Sequence, residues 1–410
     1  MKDTQIEWIG QIPDDWEVKR FKYIHSGTNV GESIDKEFWS QDENEYVFYT
    51  AGETNIYNTY NKFPNWKFVK SCDLLLARNG TPYVYLPPVD AQYSDHIIRT
   101  SINKDIDKRF VRYCLQLSIE NEKVEVVSLA TWSVSIWNEQ KLPLPNITEQ
   151  KLIADFLDKQ TAKIDAIIKT NEEQLEVLKK YKKSLITQTV TKGLNKNARM
   201  KDSGISTLQE IPDNWDISKL KYEFSIVCGA TPDSTNMEFW DGDINWIGPA
   251  EMSDTGSISH GANYITKKGY NSCGTTLLPE NSIIVSTRAP IGKVNIASSE
   301  LCTNQGCKSL VANSEKNNNK YVYYYLISIK QELINAGRGA TFKELSTFDF
   351  GNFYIPLPPT EEQNQIVKYL DEKFIKIDSL ISQKQQAIET MQKYKKSLIY
   401  EYVTGKKRIK

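Results

Sequence analysis

The seven residues KYKKSLI occupy positions 180–186 and recur at positions 393–399. The match extends without a gap from residues 142–193 to residues 355–406, with 22 identities in 52 positions. A shorter pair, IPDDWEVKRFKY at residues 12–23 and IPDNWDISKLKY at residues 211–222, is offset by 199 instead of 213 residues. The chain is therefore a duplicated domain, with a period far beyond the roughly 20–50 residues of solenoid repeats.

Each copy of the longer repeat predicts a long helix. Proline followed by threonine and acidic residues is a helix-start signal, and neither proline nor glycine then occurs before Gly193 and Gly405. Apolar residues recur every seven positions, as in a coiled-coil seam: Leu157, Ile164, Leu178 and Leu185 in the first copy, Leu370, Ile377, Met391 and Leu398 in the second, with Ile168, Leu175, Ile381 and Ile388 widening the stripe. Asn171 and Lys384 interrupt both seams at the same place, where a polar residue fixes register. We expect the two helices to form an antiparallel coiled coil with internal pseudo-twofold symmetry.

The order along the chain is head, helix, head, helix. The predicted boundaries are 1–147 for the first head, 148–197 for the central helix, 198–358 for the second head and 359–410 for the C-terminal helix. Residues 148–199 and 361–410 each carry 11 Lys or Arg against 7 Asp or Glu, so the remainder of this chain of net charge −1 carries −9. The heads are acidic, and the basic density lies on the helices.

The KYKK clusters admit two interpretations. They form either a solvated lysine face or a docking surface for a partner protein or DNA phosphates. The candidate partner-binding residues are Lys180, Tyr181, Lys182, Lys183, Lys393, Tyr394, Lys395 and Lys396.

The heads predict a mixed α/β fold with a shared scaffold. Residues 73–77 and 282–286 are typical of short buried strands, and each is followed by an arginine and a turn, Arg78 to Pro82 or Arg288 to Gly292. A second strand follows at 83–86 or 293–297, and a helix is predicted at 109–117 or 320–329. The triplets Ala130-Thr131-Trp132 and Ala340-Thr341-Phe342 then precede the proline pairs.

The loops differ between the heads, and loops commonly carry recognition while the scaffold positions them. Arg, Lys, Asn and Gln side chains can make paired hydrogen bonds to guanine or adenine edges, although half or more of such contacts go to the DNA backbone. The candidate DNA-binding residues are Arg78, Asn79, Tyr83, Arg99 and Trp132 in the first head, and Arg288, Lys293, Asn304, Gln305, Lys308, Arg338 and Lys343 in the second.

Catalytic chemistry has no recognisable motif in this sequence. There is no Walker P-loop, GxGxxG cradle, GxSxG elbow or HExxH site. Six scattered cysteines without a CxxC pair and only three histidines make a zinc site unexpected. The sequence shows no membrane-spanning run and no secretory signal, so we expect a cytoplasmic, non-catalytic protein.

Together these features resemble one known family. The PLP–EQ helix starts, the KYKKSLI helices, the two unlike heads and the stretch STRAPIGKVNIASSELCTNQGCKSL at residues 286–310 are similar to the specificity subunits of type I restriction-modification enzymes. The first head departs from the family pattern, with Arg78-Asn79-Gly80 where the family often has a motif like that at residues 288–292.

The resemblance implies two target recognition domains, each of which reads one half of a split, asymmetric DNA site. It also implies that the helices set the spacer and bind two adenine methyltransferase subunits, and that two motor–nuclease subunits complete the complex. S-adenosylmethionine, ATP and Mg²⁺ would bind those partners, and no cofactor is expected in this chain. Two other interpretations stay open: a two-headed DNA-binding adaptor of another phage-defence system, and a structural coiled-coil interaction protein.

Overall fold

The computed structural model describes residues 1–51, 56–79, 82–121, 131–314, 317–339 and 343–409. The chain divides into two compact units, Met1–Glu172 with Gln385–Lys410 (unit 1) and Glu173–Lys384 (unit 2). Each unit therefore contains one head and one part of each long helix.

The head of unit 1 combines two four-stranded sheets with short helices. Its strands are β1 (Lys2–Asp3), β2 (Gln11–Ile12), β3 (Glu17–Arg20), β4 (His25–Val30), β5 (Trp39–Ser40), β6 (Tyr46–Tyr49), β7 (Ile56–Asn58), β8 (Asp73–Ala77), β9 (Val84–Tyr85), β10 (Gln92–Tyr93), β11 (Ile97–Ile102) and β12 (Lys141–Leu144), and its helices are α1 (Lys108–Asn121) and α2 (Val134–Glu139). The sheet orders are β4-β11-β8-β9 and β10-β6-β7-β5. A further pair, β12 with β3, joins the start of the head to the strand that precedes the long helix.

The long helices begin at corresponding residues and end within two residues of corresponding positions. They are α3 (Ile147–Lys192) and, at the end of the chain, a helix of 44 residues over Thr360–Val403. Gly193 and Gly405 follow the two helices with φ of +72° and +69°, the left-handed conformation in which glycine commonly ends a helix. Both predicted long helices are confirmed.

The head of unit 2 repeats the scaffold with different insertions. Its strands are β13 (Met200–Asp202), β14 (Glu210–Pro212), β15 (Asp216–Lys219), β16 (Phe224–Cys228), β17 (Trp240–Ile247), β18 (Thr255–Ile258), β19 (Asn263–Ile265), β20 (Ile283–Ser286), β21 (Val294–Ala297), β22 (Cys302–Thr303), β23 (Cys307–Ala312) and β24 (Tyr354–Leu357); its helices are α4 (Leu220–Glu223), α5 (Lys267–Ser272), α6 (Asn319–Ser328), α7 (Lys330–Ala336) and α8 (Thr347–Gly351), and the C-terminal long helix is α9 (Thr360–Val403). The main sheet has the order β16-β23-β20-β21-β18. Its first four strands correspond in order to β4-β11-β8-β9, so the predicted mixed α/β heads with a shared scaffold are confirmed.

Within each unit the two long helices pack antiparallel. In unit 1, Lys395 Nζ lies 2.7 Å from Asp165 Oδ1, and the rings of Phe156 and Tyr402 are 4.5 Å apart. In unit 2, Lys182 Nζ lies 2.7 Å from Asp378 Oδ1. The two ion pairs join the same repeat positions, because Lys182 corresponds to Lys395 and Asp165 to Asp378.

The predicted seam residues form part of the two main cores. Leu157, Ile164 and Leu398 are buried in unit 1 with the apolar side chains of the first head. Leu185, Leu370 and Ile377 are buried in unit 2 with those of the second head. Burying one apolar stripe against both a second helix and a head explains why helices this long are stable.

The repeated IPD-x-W and EQ motifs bind one another. Trp16 and Trp215 are fully buried, and their indole Nε1 atoms donate to Glu149 and Glu362 at 3.2 and 3.0 Å. The tryptophan at the start of each head is thus fastened to the first turn of the long helix that follows that head. Among the described residues, no helix is both long and apolar enough to cross a membrane.

Candidate nucleic-acid interface

The candidate interface of each head is built on the turn after its central strand, β8 or β20. The Arg78 amide donates to the His96 carbonyl at 2.8 Å, and the Thr287 amide donates to the Gly306 carbonyl at 2.8 Å. Arg78 therefore corresponds to Thr287, and its neighbour Asn79 corresponds to Arg288. This shifts by one position the match of Arg78 with Arg288 that the sequence suggested.

A short helix begins beside each turn. The Trp132 amide donates to the Arg78 carbonyl at 2.6 Å, and the Leu345 amide donates to the Thr287 carbonyl at 2.9 Å. The next residues, Ser133 and Ser346, cap α2 and α8 with their side chains. Trp132 thus corresponds to Leu345, and the predicted correspondence with Phe342 is wrong; Ala130 and residues 340–342 lie outside the described part of the chain.

The turn of the second head lies among four cations, two of which pair with one carboxylate. We define the head-2 cluster as Arg288, Lys308, Arg338, Lys343 and Glu344. Glu344 Oε2 lies 3.1 Å from Arg288 Nε, and its Oε1 lies 3.5 Å from Lys308 Nζ. Backbone bridges join Glu344 to both Arg288 and Arg338.

The accessible members of the head-2 cluster suit nucleic acid. The side chain of Arg288 is 47% exposed and that of Arg338 is 82% exposed, and Lys343 is exposed. Because Glu344 engages the Nε of Arg288, the terminal Nη groups keep their donors for the paired hydrogen bonds that guanine O6 and N7 accept. Arg338 Nη2 lies 3.2 Å from Asp349, which holds this arginine beside α8.

The turn of the first head carries different chemistry on the same scaffold. Asn79 Nδ2 lies 2.7 Å from His96 Nδ1, and a backbone bridge joins Asn79 to Thr131. Arg78, the preceding residue, is half-buried. An amide beside an imidazole offers both donors and acceptors, which is the combination that an adenine edge requires.

Burial removes three predicted residues from the set of base contacts. Arg99 is 5% exposed, and its Nη1 donates to the carbonyls of Trp66 and Phe68 at 3.0 and 2.8 Å. Trp132 is 3% exposed and packs on Trp137 at 5.2 Å. Lys308 is 3% exposed and donates to the Thr287 hydroxyl at 3.2 Å. These side chains shape the heads from inside.

The remaining predicted residues of the heads divide between scaffold and surface. Lys293 Nζ donates to the carbonyls of Pro249 and Met252 at 2.8 and 2.7 Å, so it ties a loop down. Asn304 caps the next turn by accepting from the Gly306 amide at 2.8 Å, and Tyr83 packs on Tyr85 at 4.8 Å. Gln305 is exposed and accepts a hydrogen bond from the Thr231 hydroxyl, so it stays at the accessible surface.

Sequence reasoning missed Glu344 and His96, the two residues that hold the turns. Glu344 is 56 residues from Arg288, and His96 is 17 residues from Asn79. No local motif marks either residue, because each reaches its turn through the pairing of distant segments. Neither residue adjoins a strand or helix that the sequence predicted, so neither had a signal in the sequence.

The predicted partner-binding residues of the long helices face two ways. Lys182 and Lys395 bind the other helix of their own unit, as described above. Tyr181 and Tyr394 are 50% and 53% exposed, and the neighbouring Lys180, Lys183, Lys393 and Lys396 are exposed as well. The accessible face is therefore a repeated tyrosine flanked by lysines, of which Lys396 also pairs with Glu120 at 3.3 Å.

Two of the four thiols of the second head, those of Cys302 and Cys307, are buried. Burial raises the pKa of Cys302 to about 11 and that of Cys307 to about 12. Such thiols stay protonated near neutral pH and are poor nucleophiles and poor metal ligands. In the part of the chain that the structure describes, no group of three or more His, Cys, Asp or Glu side chains could hold a metal ion.

Comparison with known proteins gives consistent results. The family model described as the type I restriction modification DNA specificity domain matches the chain twice, at residues 13–177 and 212–390. The putative type I restriction enzyme MjaX specificity subunit of Methanocaldococcus jannaschii is 30% identical, with 98% of this chain and 96% of that protein covered. The MjaVIII specificity subunit of the same organism is 27% identical over 98% of this chain and 95% of its own length.

The fold is also that of a solved protein. One chain comes from a structural study of complex assembly and conformational transition in the type I R-M system. It superposes on this chain with a TM-score of 0.72 at 18% identity, and the match covers 96% of this chain and 98% of the other.

Proposed function

The chain belongs to the type I restriction-modification DNA specificity subunits, with two target recognition domains, and we propose that each head reads one half of a bipartite, asymmetric DNA site without catalysing a reaction. The observation that carries this proposal is the pair of turns. They occupy the same place on the same scaffold, yet at the equivalent position one carries Arg288 and the other Asn79 beside His96. Unlike side chains at equivalent positions recognise unlike bases.

Within the head-2 cluster, the exposed cations have two different roles in DNA binding. Arg288 reads a base edge, because its side chain is oriented by Glu344 at 3.1 Å and keeps free Nη donors. Arg338 and Lys343 contact phosphates, which position the head on the duplex. In the first head, Asn79 is the base reader and Arg78 a neighbouring backbone contact.

The long helices set the distance between the half-sites. The 46-residue α3 leads from the first head to the second, and readers that approach one face of B-DNA need centres about one helical turn, or ~10 base pairs, apart. Binding of the first half-site raises the effective concentration of the second reader, so the two contacts reinforce each other.

Two adenine methyltransferase subunits dock on the outward faces of the helices. The repeat offers two corresponding sites, one around Tyr181 and one around Tyr394, and tyrosine is enriched among the residues that dominate binding at protein interfaces. S-adenosylmethionine binds those partners, and the target adenine leaves the base stack to enter their pockets. Two motor–nuclease subunits with ATP and Mg²⁺ complete the restriction complex.

The test is methylation mapping in cells that express this chain with its methyltransferase. Arg288→Ala is expected to relax one base position of one half-site and leave the other half unchanged. Loss of a paired contact to guanine is worth about 1–3 kcal/mol, a roughly 5- to 150-fold loss of discrimination. Lys267→Ala, an exposed residue of the same head, is the matched control and leaves the methylated sequence unchanged.

Three outcomes would contradict the proposal: no methylation that depends on this chain, a change in both half-sites, or an unchanged site with Arg288→Ala. Recovery of the chain with a different catalytic partner would favour a DNA-binding adaptor of another defence system.

The spacing is tested by removing residues 170–176 and 383–389 together. These heptads correspond in the repeat, and their loss shortens the helix pair by about 10 Å, or roughly three base pairs. The mapped site should keep both half-sites and lose spacer positions. Altered half-sites with an unchanged spacer would refute the idea that the helices act as a ruler.

A further inference from the structure

A second duplicated surface lies on each head, beside the turns. We call it the Lys–Tyr strip; it comprises Arg20, Lys22 and Tyr23 in the first head and Lys219, Lys221 and Tyr222 in the second. The residue between the two cations, Phe21 or Leu220, is fully buried and anchors the strip in the core. Tyr23 and Tyr222 are each 66% exposed, and the preceding lysine lies over the tyrosine ring at 5.4 and 5.2 Å.

Both strips are attached to the head in the same way. Arg20 Nη1 lies 3.3 Å from Glu139 Oε2, and Lys219 Nζ donates to Asn352 Oδ1 at 3.3 Å. Glu139 and Asn352 are repeat equivalents at the C-terminal ends of α2 and α8. The opposite ends of these short helices, at the caps Ser133 and Ser346, lie beside the turns.

Each short helix therefore joins a turn to a strip. Glu139 follows the capping residue Ser133 by six residues, so these two residues are about 9 Å apart along the axis of α2. That distance corresponds to less than three steps of a B-DNA strand, which rises about 3.4 Å per nucleotide. A duplex that meets the turn is within reach of the strip.

The charge of the strip suits an anion. In the second head, Asn352 stands where the first head has Glu139, so the two lysines keep their full positive charge. In the first head, Glu139 also accepts from Lys22 at 2.9 Å, and two cations share one carboxylate. Both strips remain positive on heads that are acidic overall.

The duplication indicates what the strip contacts. The turns of the two heads differ, so they meet different bases, but the strips are alike and require a ligand that is the same at both places. The sugar–phosphate backbone is the part of two unlike half-sites that does not vary, and Lys, Arg and Tyr side chains are among its usual partners. A partner subunit present in two copies is the other occupant that duplication allows, and the link through α2 and α8 to the turns favours DNA.

We propose that the Lys–Tyr strip of each head grips the phosphate backbone beside its half-site and supplies affinity that does not depend on sequence. This inference rests on the proposed function, since it assumes that the turns read DNA. In each head, base recognition then lies at the N-terminal end of one short helix, α2 or α8, and phosphate binding lies at its C-terminal end.

The test compares salt dependence in the full chain assembled with its methyltransferase subunits. Binding is measured to the mapped target duplex and to a random-sequence duplex over a series of KCl concentrations. For Lys219→Ala with Lys221→Ala, the slope of the logarithm of the association constant against log salt should become less negative by about 2. Each lost phosphate contact removes roughly 0.9 from the magnitude of that slope. Affinity for both duplexes should drop by the same factor, so their ratio stays constant.

Two controls make the outcome decisive. Lys267→Ala with Lys268→Ala removes the same charge from the exposed surface of the same head and should leave the slope unchanged. Arg288→Ala should weaken the target duplex more than the random one.

The inference is overturned if the strip variant keeps the wild-type slope, if the control lowers the slope equally, or if only target binding falls. Unchanged DNA binding with loss of the methyltransferase from the purified complex would instead assign the strip to a partner interface. The proposed function fails separately, when the wild-type complex itself does not prefer its target to random DNA.

Discussion

Replacing Gln363 with leucine removes two hydrogen bonds from a site that water cannot reach. Gln363 is 2% exposed; its Nε2 donates to the Pro358 carbonyl at 2.9 Å, and its Oε1 accepts from the Asn318 amide at 2.8 Å. Gln150 makes the same two bonds in unit 1, to the Pro145 carbonyl and the Asp107 amide, at 2.8 and 2.9 Å. Each glutamine thus joins the first turn of a long helix to the start of a helix in its head, α1 for Gln150 and α6 for Gln363.

The expected cost follows from the backbone groups left behind. Leucine has nearly the same volume, so the main loss is one donor and one acceptor without partners, each worth about 1–3 kcal/mol when buried. We expect either Gln363→Leu or Gln150→Leu to lower the free energy of unfolding of its own unit by about 2–6 kcal/mol. Gln386→Leu, at an exposed position of α9, should change it by less than about 0.5 kcal/mol.

Hydrogen exchange followed by mass spectrometry on the full chain distinguishes the two units. Gln363→Leu should speed exchange at Asn318 and in the first turns of α9, and Gln150→Leu should do so at Asp107 and in the first turns of α3. A change below about 0.5 kcal/mol in both variants, or equal loosening of both units by either one, would refute the reasoning.

Two further predictions concern the helix pair and the thiols. Lys182→Asp should destabilise unit 2 by no more than about 1 kcal/mol, since the pair with Asp378 is partly exposed, and adding Asp378→Lys should restore most of the loss in urea titrations; an additive double variant would contradict the pairing. Burial raises the pKa of Cys302 and Cys307 to about 11 and about 12 from an ordinary value of 9.0, so the folded state holds protons that the unfolded state releases, and stability should be full below about pH 9 and fall between about pH 9 and 12. Serine at both positions should flatten that alkaline fall, measured as the urea midpoint against pH; an unchanged slope would show that these thiols do not contribute to it.

The helical part of the fold could be predicted from the sequence because its information is local and repeated. Seam residues such as Leu157 and Leu370 recur at fixed spacing and are buried as expected. Some residues that are identical in the two repeats, such as Gln150 and Gln363, belong to no local sequence pattern. They are identical because they make the same hydrogen bonds in both units. The seam interruptions, Asn171 and Lys384, lie next to or at the positions where the chain passes from one unit to the other.

The candidate interface was harder to predict because its parts are distant in sequence. Residue type identified Arg99 and Lys308 as candidates, but both lie on central strands where the sheet buries them. The alignment of the two heads was displaced near Arg78, because their insertions differ and only backbone pairing shows which residues correspond. Glu344, the residue that orders the head-2 cluster, has no signal of its own.

The division of the chain has a consequence for its synthesis. Unit 2 is a single stretch, Glu173–Lys384, whereas unit 1 needs both its first 172 residues and Gln385–Lys410. A ribosome that adds about 5–20 residues per second needs roughly 10–40 s to make the intervening stretch. During that interval the nascent first head lacks Leu398 and Val403, which complete its core. The head that is synthesised first is therefore the last that can finish folding. Until then, the apolar side chains that pack against Leu398 and Val403 stay exposed and are the part of the nascent chain that we expect a chaperone to bind.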